Sequence, residues 1–370
     1  MITNIPLIDL GKQHQNLDIA IEDAISEVLK SSSFINGKKV RELETAFVEY
    51  CGKGYGIGVS NGTTSLFVVL KTLGVVPGDE IILPVNTFIA TAEAVSLTGA
   101  KPVFVDVNES DGLIDPKQVE SQINSNTRGI IPVHLYGNIC DMEKIAKISS
   151  RRGLEIILED CAQAHGSELN GKRVPIGKIG SFSFYPGKSL GAIGDAGCIV
   201  CDDEELATIF KNYVDHGRKN GAKYVHDDVG FNFRMDEIQA AIIKIKIPYL
   251  SSWLNRKREI ASVYDQRLEG VENIKPREGV KHSYHLYVVR SHRRDELQKH
   301  LKDREISTGI HYPVPLHLQP AYANLGYKQG DFPVAEKLSK EVLSLPIYPE
   351  MTAEQVSRVI EAVNEFNLKE

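Results

Sequence analysis

The chain has 370 residues, of which 25% are charged and 42% hydrophobic, with a formal net charge of −6 and a pI near 6.0. This length accommodates a large domain and a smaller one, and the acidic balance argues against a nucleic-acid-binding protein. The start lacks the basic segment and apolar run of a signal peptide, and no stretch approaches the ~20 apolar residues that span a bilayer. We therefore expect a cytoplasmic protein that acts on small molecules and not at a membrane.

In the first two thirds of the chain, short β-branched runs alternate with helical patterns. Strands are predicted at 55–60, 80–84, 102–107, 129–135, 155–160, 181–185 and 197–202. Helical patterns separate many of them, including one apolar face formed by Val40, Leu43 and Phe47 and a crossover helix at 142–152. The order predicts an α/β fold with a largely parallel or mixed sheet covered by helices on both faces.

A second unit is predicted towards the carboxyl end. A long helical pattern follows Asp236 and runs to about residue 268, interrupted where Pro248 bends or breaks the helix. A strand at 283–290 and helices at 293–302, 334–343 and 353–366 then form a small α/β domain. We predict a large domain at 1–247 and a small domain at 248–370.

The five cysteines are scattered and odd in number, which is typical of reduced thiols and not of a disulfide framework. Cys198 and Cys201 have the spacing of a redox or zinc pair, but they lie in an apolar run and have no second pair. We interpret them as part of a buried strand, and the sequence predicts no metal site.

Lys188 lies between an aromatic, strand-like run and a glycine-rich turn. An amine attacks a carbonyl only when it is neutral, and desolvation beside a pocket makes a lysine lose its proton more easily. Gly187-Lys188-Ser189 also resembles the end of a nucleotide-binding P-loop, but Phe182 stands where that motif needs glycine, and Pro186 has no N–H for a phosphate. On its own the segment is more typical of an exposed loop lysine, and it is the other residues of the chain that favour covalent Schiff-base chemistry.

Three further stretches supply what a lysine-bound pyridoxal phosphate requires. At Asn61-Gly62-Thr63 a predicted strand ends and a helix begins, so backbone N–H groups point towards a phosphate. Asp160 ends another strand and can pair with the pyridine nitrogen, while Gln163 can bind the phenolic oxygen. Phe88 follows a third strand and can stack on the ring. Each stretch alone is also typical of a cap or a core, and the signal lies in their combination with Lys188.

Five motifs in this order carry a specific resemblance. They are Asn61-Gly62-Thr63, Asn86-Thr87-Phe88, the stretch from Glu159 to Gly166, the stretch from Ser183 to Gly197, and Gly230-Phe-Asn232-Phe-Arg234-Met-Asp236 with the residues that follow. A small-domain stretch, Gly309-Ile-His311-Tyr312-Pro-Val-Pro-Leu-His317, extends the match almost end to end. The sequence resembles the DegT/DnrJ/EryC1/StrS family of sugar aminotransferases.

The resemblance implies an aspartate-aminotransferase-like (fold type I) enzyme that works as a homodimer with its cofactor sites at the interface. It implies roles for eight residues: Lys188 as the Schiff-base lysine, Asp160 at the pyridine nitrogen, Gln163 at the phenolic oxygen, Ser183, Gly62 and Thr63 at the phosphate, Phe88 beside the ring, and Asn232 at the phosphate of the second subunit.

The implied reaction moves an amino group from L-glutamate to a keto sugar linked to dTDP or UDP, at C3 in preference to C4. Five residues are candidates for sugar contacts: Tyr224, His226, His311, Tyr312 and His317. One alternative is a deoxysugar dehydratase or lyase, but such relatives replace the Schiff-base lysine with histidine and this chain keeps Lys188. Another alternative is a non-catalytic regulator on the same fold, which we expect to have lost Lys188 or Asp160.

Overall fold

The computed structural model describes residues 4–219 and 222–368. The helices are α1 (Leu10–Gln15), α2 (Asp18–Ser31), α3 (Lys38–Cys51), α4 (Gly62–Thr72), α5 (Ala90–Leu97), α6 (Pro116–Gln122), α7 (Met142–Arg152), α8 (Glu204–Val214), α9 (Glu237–Arg267), α10 (Arg294–Lys302), α11 (Pro333–Glu341) and α12 (Ala353–Asn367). The strands are β1 (Tyr55–Val59), β2 (Glu80–Pro84), β3 (Lys101–Val105), β4 (Thr127–Ile130), β5 (Ile156–Asp160), β6 (Glu168–Leu169), β7 (Lys172–Arg173), β8 (Ile179–Ser183), β9 (Gly197–Cys201), β10 (Glu272–Asn273), β11 (Val280–Lys281), β12 (Tyr287–Arg290) and β13 (Val342–Leu345). Within the described ranges, no helix is long and apolar enough to cross a bilayer.

A seven-stranded sheet forms the centre of the molecule, in the order β1-β9-β8-β5-β4-β2-β3. Its strands are the seven that the sequence predicts, and all run in one direction except β9, which is antiparallel to both neighbours. The prediction of a mixed, mainly parallel sheet is confirmed. The predicted strand at 129–135 ends early, at Ile130, since Pro132 has no N–H to continue the ladder.

Helix α3 shows how the sequence covers this sheet. Val40, Leu43 and Phe47 recur at helical spacing and are all buried, and burying a side chain of this kind stabilises the fold by roughly 1.5–3 kcal/mol. The carboxylate of Glu237 accepts hydrogen bonds from three backbone amides at the start of the helix. Backbone amides at this end have no hydrogen-bond partner within the helix. Gly52 ends the helix in the left-handed conformation.

Helix α9 connects two hydrophobic cores. Its 31 residues continue through Pro248, so the predicted interruption is wrong. Packing on both sides of the proline offsets the one backbone hydrogen bond that it removes: Leu250 and Leu254 lie in the core of the sheet, and Tyr264 lies in the second core. The domain boundary predicted after residue 247 therefore falls inside a helix.

The second core lies between β12, β13, α10 and α12. The predicted helix at 334–343 ends at Glu341, and the chain continues as β13, which pairs antiparallel with β12. Ile5 also belongs to this core, because it forms a parallel bridge with Ile306. The amino-terminal segment is thus part of the carboxyl-terminal unit.

Candidate active site

The predicted site residues follow strands that end at one edge of the sheet. Strands β2, β4, β5 and β8 are parallel, and β1 runs the same way because it and β8 are both antiparallel to β9. The carboxyl end of β5 carries Asp160, that of β8 carries Ser183, and β1 leads directly into α4 at Gly62. Ligands of open α/β sheets bind at such an edge.

Asp160 is a buried carboxylate held by its own chain. The Thr91 hydroxyl donates to Oδ2 over 2.9 Å, and the Ala162 amide donates to Oδ1 over 3.1 Å. Burial raises the pKa of Asp160, and these two donors and the charge of Lys188 oppose that rise. The carboxylate is thereby oriented and ready to pair with a protonated ring nitrogen.

Lys188 lies on a turn in which its amide donates to the Tyr185 carbonyl over 2.8 Å. The ammonium of Lys246, on α9, donates to the Gly191 carbonyl of the same loop over 2.8 Å. Burial lowers the pKa of Lys188 to about 8, against the opposing charge of Asp160. About a tenth of the Lys188 amine is therefore neutral at pH 7, far more than for an ordinary lysine, and the neutral form is the one that nucleophilic attack requires.

The amide of Gln163 is fixed at both ends. Its Oε1 accepts a hydrogen bond of 2.7 Å from the backbone amide of Tyr136, and its Nε2 donates one of 3.1 Å to the Tyr312 hydroxyl. An amide nitrogen carries two hydrogens, so one remains for a further acceptor. Tyr136 has a φ of 63° and its hydroxyl donates to the His311 carbonyl, which ties the loop after β4 to the segment that carries Tyr312.

The start of α4 and Ser183 approach each other closely. A Cβ at Gly62 would lie 2.7 Å from that of Ser183, so only glycine allows this approach. Asn61 caps the helix by accepting the Thr64 amide over 2.9 Å, while the amides of Gly62 and Thr63 belong to the first turn, where intrahelical partners are absent. The Ser183 hydroxyl oxygen accepts a hydrogen bond from the Tyr185 amide, so its own proton remains available to donate to a ligand. Together these groups form a cradle for an anion.

The aromatic ring of Phe88 is half-exposed beside this edge. Its centroid lies 5.8 Å from that of Tyr312, with the two planes tilted by 40°. Both rings present surface on which a flat ligand could stack.

Two of the predicted sugar-contact histidines have very different surroundings. Burial, and after it the charge of nearby Lys188, lowers the pKa of His311 to about 4, and its Nδ1 lies 2.9 Å from Ser344 Oγ. His317 is buried, with Nε2 3.0 Å from a carboxylate oxygen of Glu336 and its ring packed on Phe332. The contacts of His317 are those of a packing residue, and its sugar contact stays a prediction.

The remaining predicted residues lie on an exposed segment between α8 and α9. Tyr224 is 80% exposed, His226 is exposed with Nδ1 2.8 Å from the His216 carbonyl, and Asn232 is exposed and accepts a hydrogen bond from Arg234. No contact joins these three side chains to Lys188 or Asp160 within the described part of the chain.

The comparisons with known proteins agree with this geometry. The family model described as "DegT/DnrJ/EryC1/StrS aminotransferase family" matches residues 15–364. A "Pleiotropic regulatory protein" of Geobacillus stearothermophilus is 45% identical over 98% of each chain, and a dTDP-3-amino-3,4,6-trideoxy-alpha-D-glucose transaminase of Streptomyces venezuelae is 41% identical over 98% of this chain and 96% of its own. The crystal structure of S. venezuelae DesV in complex with a ketimine intermediate superposes with a TM-score of 0.96 at 41% identity, covering 98% of each chain.

The chain belongs to the DegT/DnrJ/EryC1/StrS aminotransferase family. It is a sugar aminotransferase with the predicted aspartate-aminotransferase-like fold, and its cofactor is pyridoxal 5′-phosphate. The predictions of family, fold class, enzyme class and cofactor are confirmed.

The residues of this aminotransferase match the chemical groups of the cofactor. A lysine with a pKa of about 8 suits an aldehyde, a buried carboxylate suits a pyridine nitrogen, and the anion cradle at Gly62 and Ser183 suits a phosphate. Asp160 and Ser183 end the neighbouring parallel strands β5 and β8, and Lys188 follows Ser183 in the next loop.

Several residues at the site of this aminotransferase escaped the sequence analysis. Thr91, Tyr136 and His285 are all buried near it, and the charges of Lys188 and Lys257 help burial to hold the pKa of His285 well below its usual range. Thr91 lies three residues after Phe88, which is about one helical turn. A helix predicted after the strand would therefore have placed Thr91 on the same side as Phe88. Tyr136 and His285 lie in loops whose positions depend on tertiary packing.

Three further buried side chains are of kinds that can bind a metal ion, but their ligand atoms already take part in hydrogen bonds. Ligand atoms of His134, Glu159 and Cys161 lie within 4.8 Å of one another. His134 Nε2 lies 2.8 Å from Glu159, its Nδ1 accepts the Cys140 amide, and Glu159 also accepts two backbone amides. These bonds make the group a structural network behind Asp160.

Proposed function

We propose that this aminotransferase transfers the amino group of L-glutamate to C3 of a keto-deoxysugar linked to dTDP or UDP, in amino-sugar biosynthesis. The observation that carries the proposal is the juxtaposition of a lysine of lowered pKa with a buried, doubly hydrogen-bonded carboxylate at one sheet edge. The substrate class follows from the similarity to a dTDP-3-amino-sugar transaminase along nearly the whole chain.

The residues take distinct roles in this proposal. Bound pyridoxal phosphate supplies the electron sink. Lys188 would hold the aldehyde of the cofactor, and its free Nζ would be the base that accepts the proton of the substrate α-carbon and the acid that returns it. Asp160 would pair with the ring nitrogen and favour its protonated form, and the free N–H of Gln163 would donate to the phenolic oxygen. The same groups would serve the second half-reaction, in which the keto sugar accepts the nitrogen.

The cofactor is further held at its phosphate and ring. Gly62, Thr63 and Ser183 would donate to the phosphate, and Phe88 would stack on the ring. Asn232 reaches the phosphate of the other subunit of a homodimer, and Tyr224, His226, His311 and Tyr312 contact the sugar. The exposure of Asn232, together with Val229 at 89% exposed on the same segment, supports a partner surface there.

Nitrogen transfer tests the proposal directly. With L-glutamate labelled with ¹⁵N and a panel of dTDP- and UDP-linked 3- and 4-keto sugars, we expect ¹⁵N on C3 of the product and 2-oxoglutarate as the second product. Label on C4 would correct the proposed position of amination and leave the transaminase reaction in place. A deoxysugar turned over without label would replace the transaminase with the lyase alternative.

A regulatory role is the second candidate, because the 45% identical relative carries the name of a regulatory protein. Retention of both Lys188 and Asp160 in a connected site favours catalysis. Pyridoxal phosphate binding without conversion to its amino form by any amino acid would favour the regulator.

A further inference from the structure

Thr91 is the one side-chain hydroxyl recorded as a donor to Asp160 in the described part of the chain. It lies on α5, the helix that follows β2, and donates to Oδ2 over 2.9 Å. Thr91 is fully buried and Asp160 is 6% exposed, so water does not substitute readily for this donor. The other donor is the backbone amide of Ala162, which side-chain substitutions leave in place.

The hydrogen bond has a fixed direction when Asp160 is ionised, because a carboxylate only accepts. The Thr91 oxygen is then free to accept, and the Thr87 hydroxyl lies 3.0 Å from it. Thr87, Thr91 and Asp160 therefore form a directed chain, and donors arranged in series polarise one another.

We propose that Thr91 is a positioning residue that keeps the shared proton on the pyridine nitrogen of the cofactor instead of on Asp160. This inference rests on the proposed role of Asp160. A donated hydrogen bond stabilises the charged carboxylate and makes it a weaker base. Without it the proton moves from the ring nitrogen to the carboxylate, and the neutral ring withdraws electrons less strongly.

The test compares isosteric variants loaded with pyridoxal phosphate labelled with ¹⁵N in the ring. Thr91→Val removes the hydroxyl, Thr91→Ser restores it, and Thr98→Val is the matched control, since Thr98 is a buried threonine at the end of the same helix whose hydroxyl donates to the Val95 carbonyl. Ring ¹⁵N chemical shift, kcat and KM are measured for each.

We expect Thr91→Val to move the ¹⁵N resonance towards that of an unprotonated pyridine and to lower kcat about tenfold, with KM changed less than about twofold. Thr91→Ser and Thr98→Val should keep the wild-type shift. Thr87→Val should give a smaller displacement in the same direction, which keeps the proposal testable if Thr91→Val does not fold.

Asp160→Asn separates two kinds of failure. If Asp160→Asn moves the resonance while Thr91→Val and Thr87→Val leave it unchanged, the positioning role of Thr91 is wrong and the role of Asp160 stands. If Asp160→Asn also leaves it unchanged, the proposed role of Asp160 is wrong.

Discussion

Asp160 and Lys188 are held by hydrogen bonds from their own chain, whereas Tyr224, His226 and Asn232 lie exposed on the segment between α8 and α9. The end of the site that carries Asp160 and Lys188 is thus preorganised by contacts within the chain. On the segment between α8 and α9, Tyr224 is 80% and Val229 is 89% exposed, as is typical of residues on a surface that can meet a partner. The buried residues proposed for the chemistry and the exposed residues proposed for a partner or a sugar lie in different parts of the fold, so separate measurements can address each part.

The largest effect is expected at the preorganised end. Lys188→Ala should lower turnover by at least about 10³-fold, because the nucleophile and the proton carrier are lost together. Borohydride reduction should fix the cofactor on the peptide that contains Lys188. Lys257→Met is the matched control, since burial lowers the pKa of Lys257 to about 8 as well. Label on Lys257 would contradict the assignment.

The pKa of Lys188 predicts how the cofactor-free protein takes up pyridoxal phosphate. With a pKa of about 8, the neutral amine fraction rises about tenfold per unit between pH 6 and 7 and levels off above pH 8. The rate of covalent attachment, followed by absorbance, should have this profile. A rate that still rises steeply at pH 10 would show an ordinary lysine.

Substitutions at the exposed end should separate the two half-reactions. Tyr224→Ala should raise KM for the keto sugar up to about tenfold and leave the half-reaction with L-glutamate unchanged, because Tyr224 is proposed to contact the sugar and not the cofactor. Val229→Ala, on the same segment, is the control for general disturbance. Equal losses in both half-reactions would place Tyr224 at the cofactor instead.

Mixed dimers test whether the exposed segment completes a neighbouring site. A heterodimer of Lys188→Ala and Asn232→Ala subunits contains one unmutated site if Asn232 acts across the interface. Random mixing of equal amounts should then recover about a quarter of wild-type activity. Absence of recovery after verified subunit exchange would mean that each site is self-contained.

The smallest catalytic effect is expected at His317. His317→Leu removes a hydrogen bond to the buried Glu336, and we expect a loss of about 1 kcal/mol in the free energy of unfolding. KM for the sugar should change less than twofold. A large rise in that KM with unchanged stability would restore the sugar contact that the sequence predicted.

The sequence was most informative about functional residues that lie at the carboxyl end of a strand. Asp160 ends β5, so the apolar run of a predicted strand located it, whereas Ser183, which ends β8, was found only through the family resemblance. Local patterns failed where distant contacts decide the structure. Packing in two cores carries α9 through Pro248, and β13 continues the apolar pattern of α11 but becomes a strand because β12 is available to pair.

The same limit applies to the site. The hydrogen bond from Thr91 to Asp160 joins residues 69 positions apart, and that from Tyr136 to the His311 carbonyl joins residues 175 apart. Single-sequence periodicity carries no information on such pairs, so the supporting residues were missed although their catalytic neighbours were predicted.

The bridge between Ile5 and Ile306 has a consequence for synthesis of the protein. Ile5 emerges from the ribosome long before the strands and helices that form its core exist. The seven strands of the central sheet and most of α9 can assemble first. The amino-terminal segment must therefore remain unpaired throughout most of translation, and the second core closes only after the ribosome has completed the chain through α12.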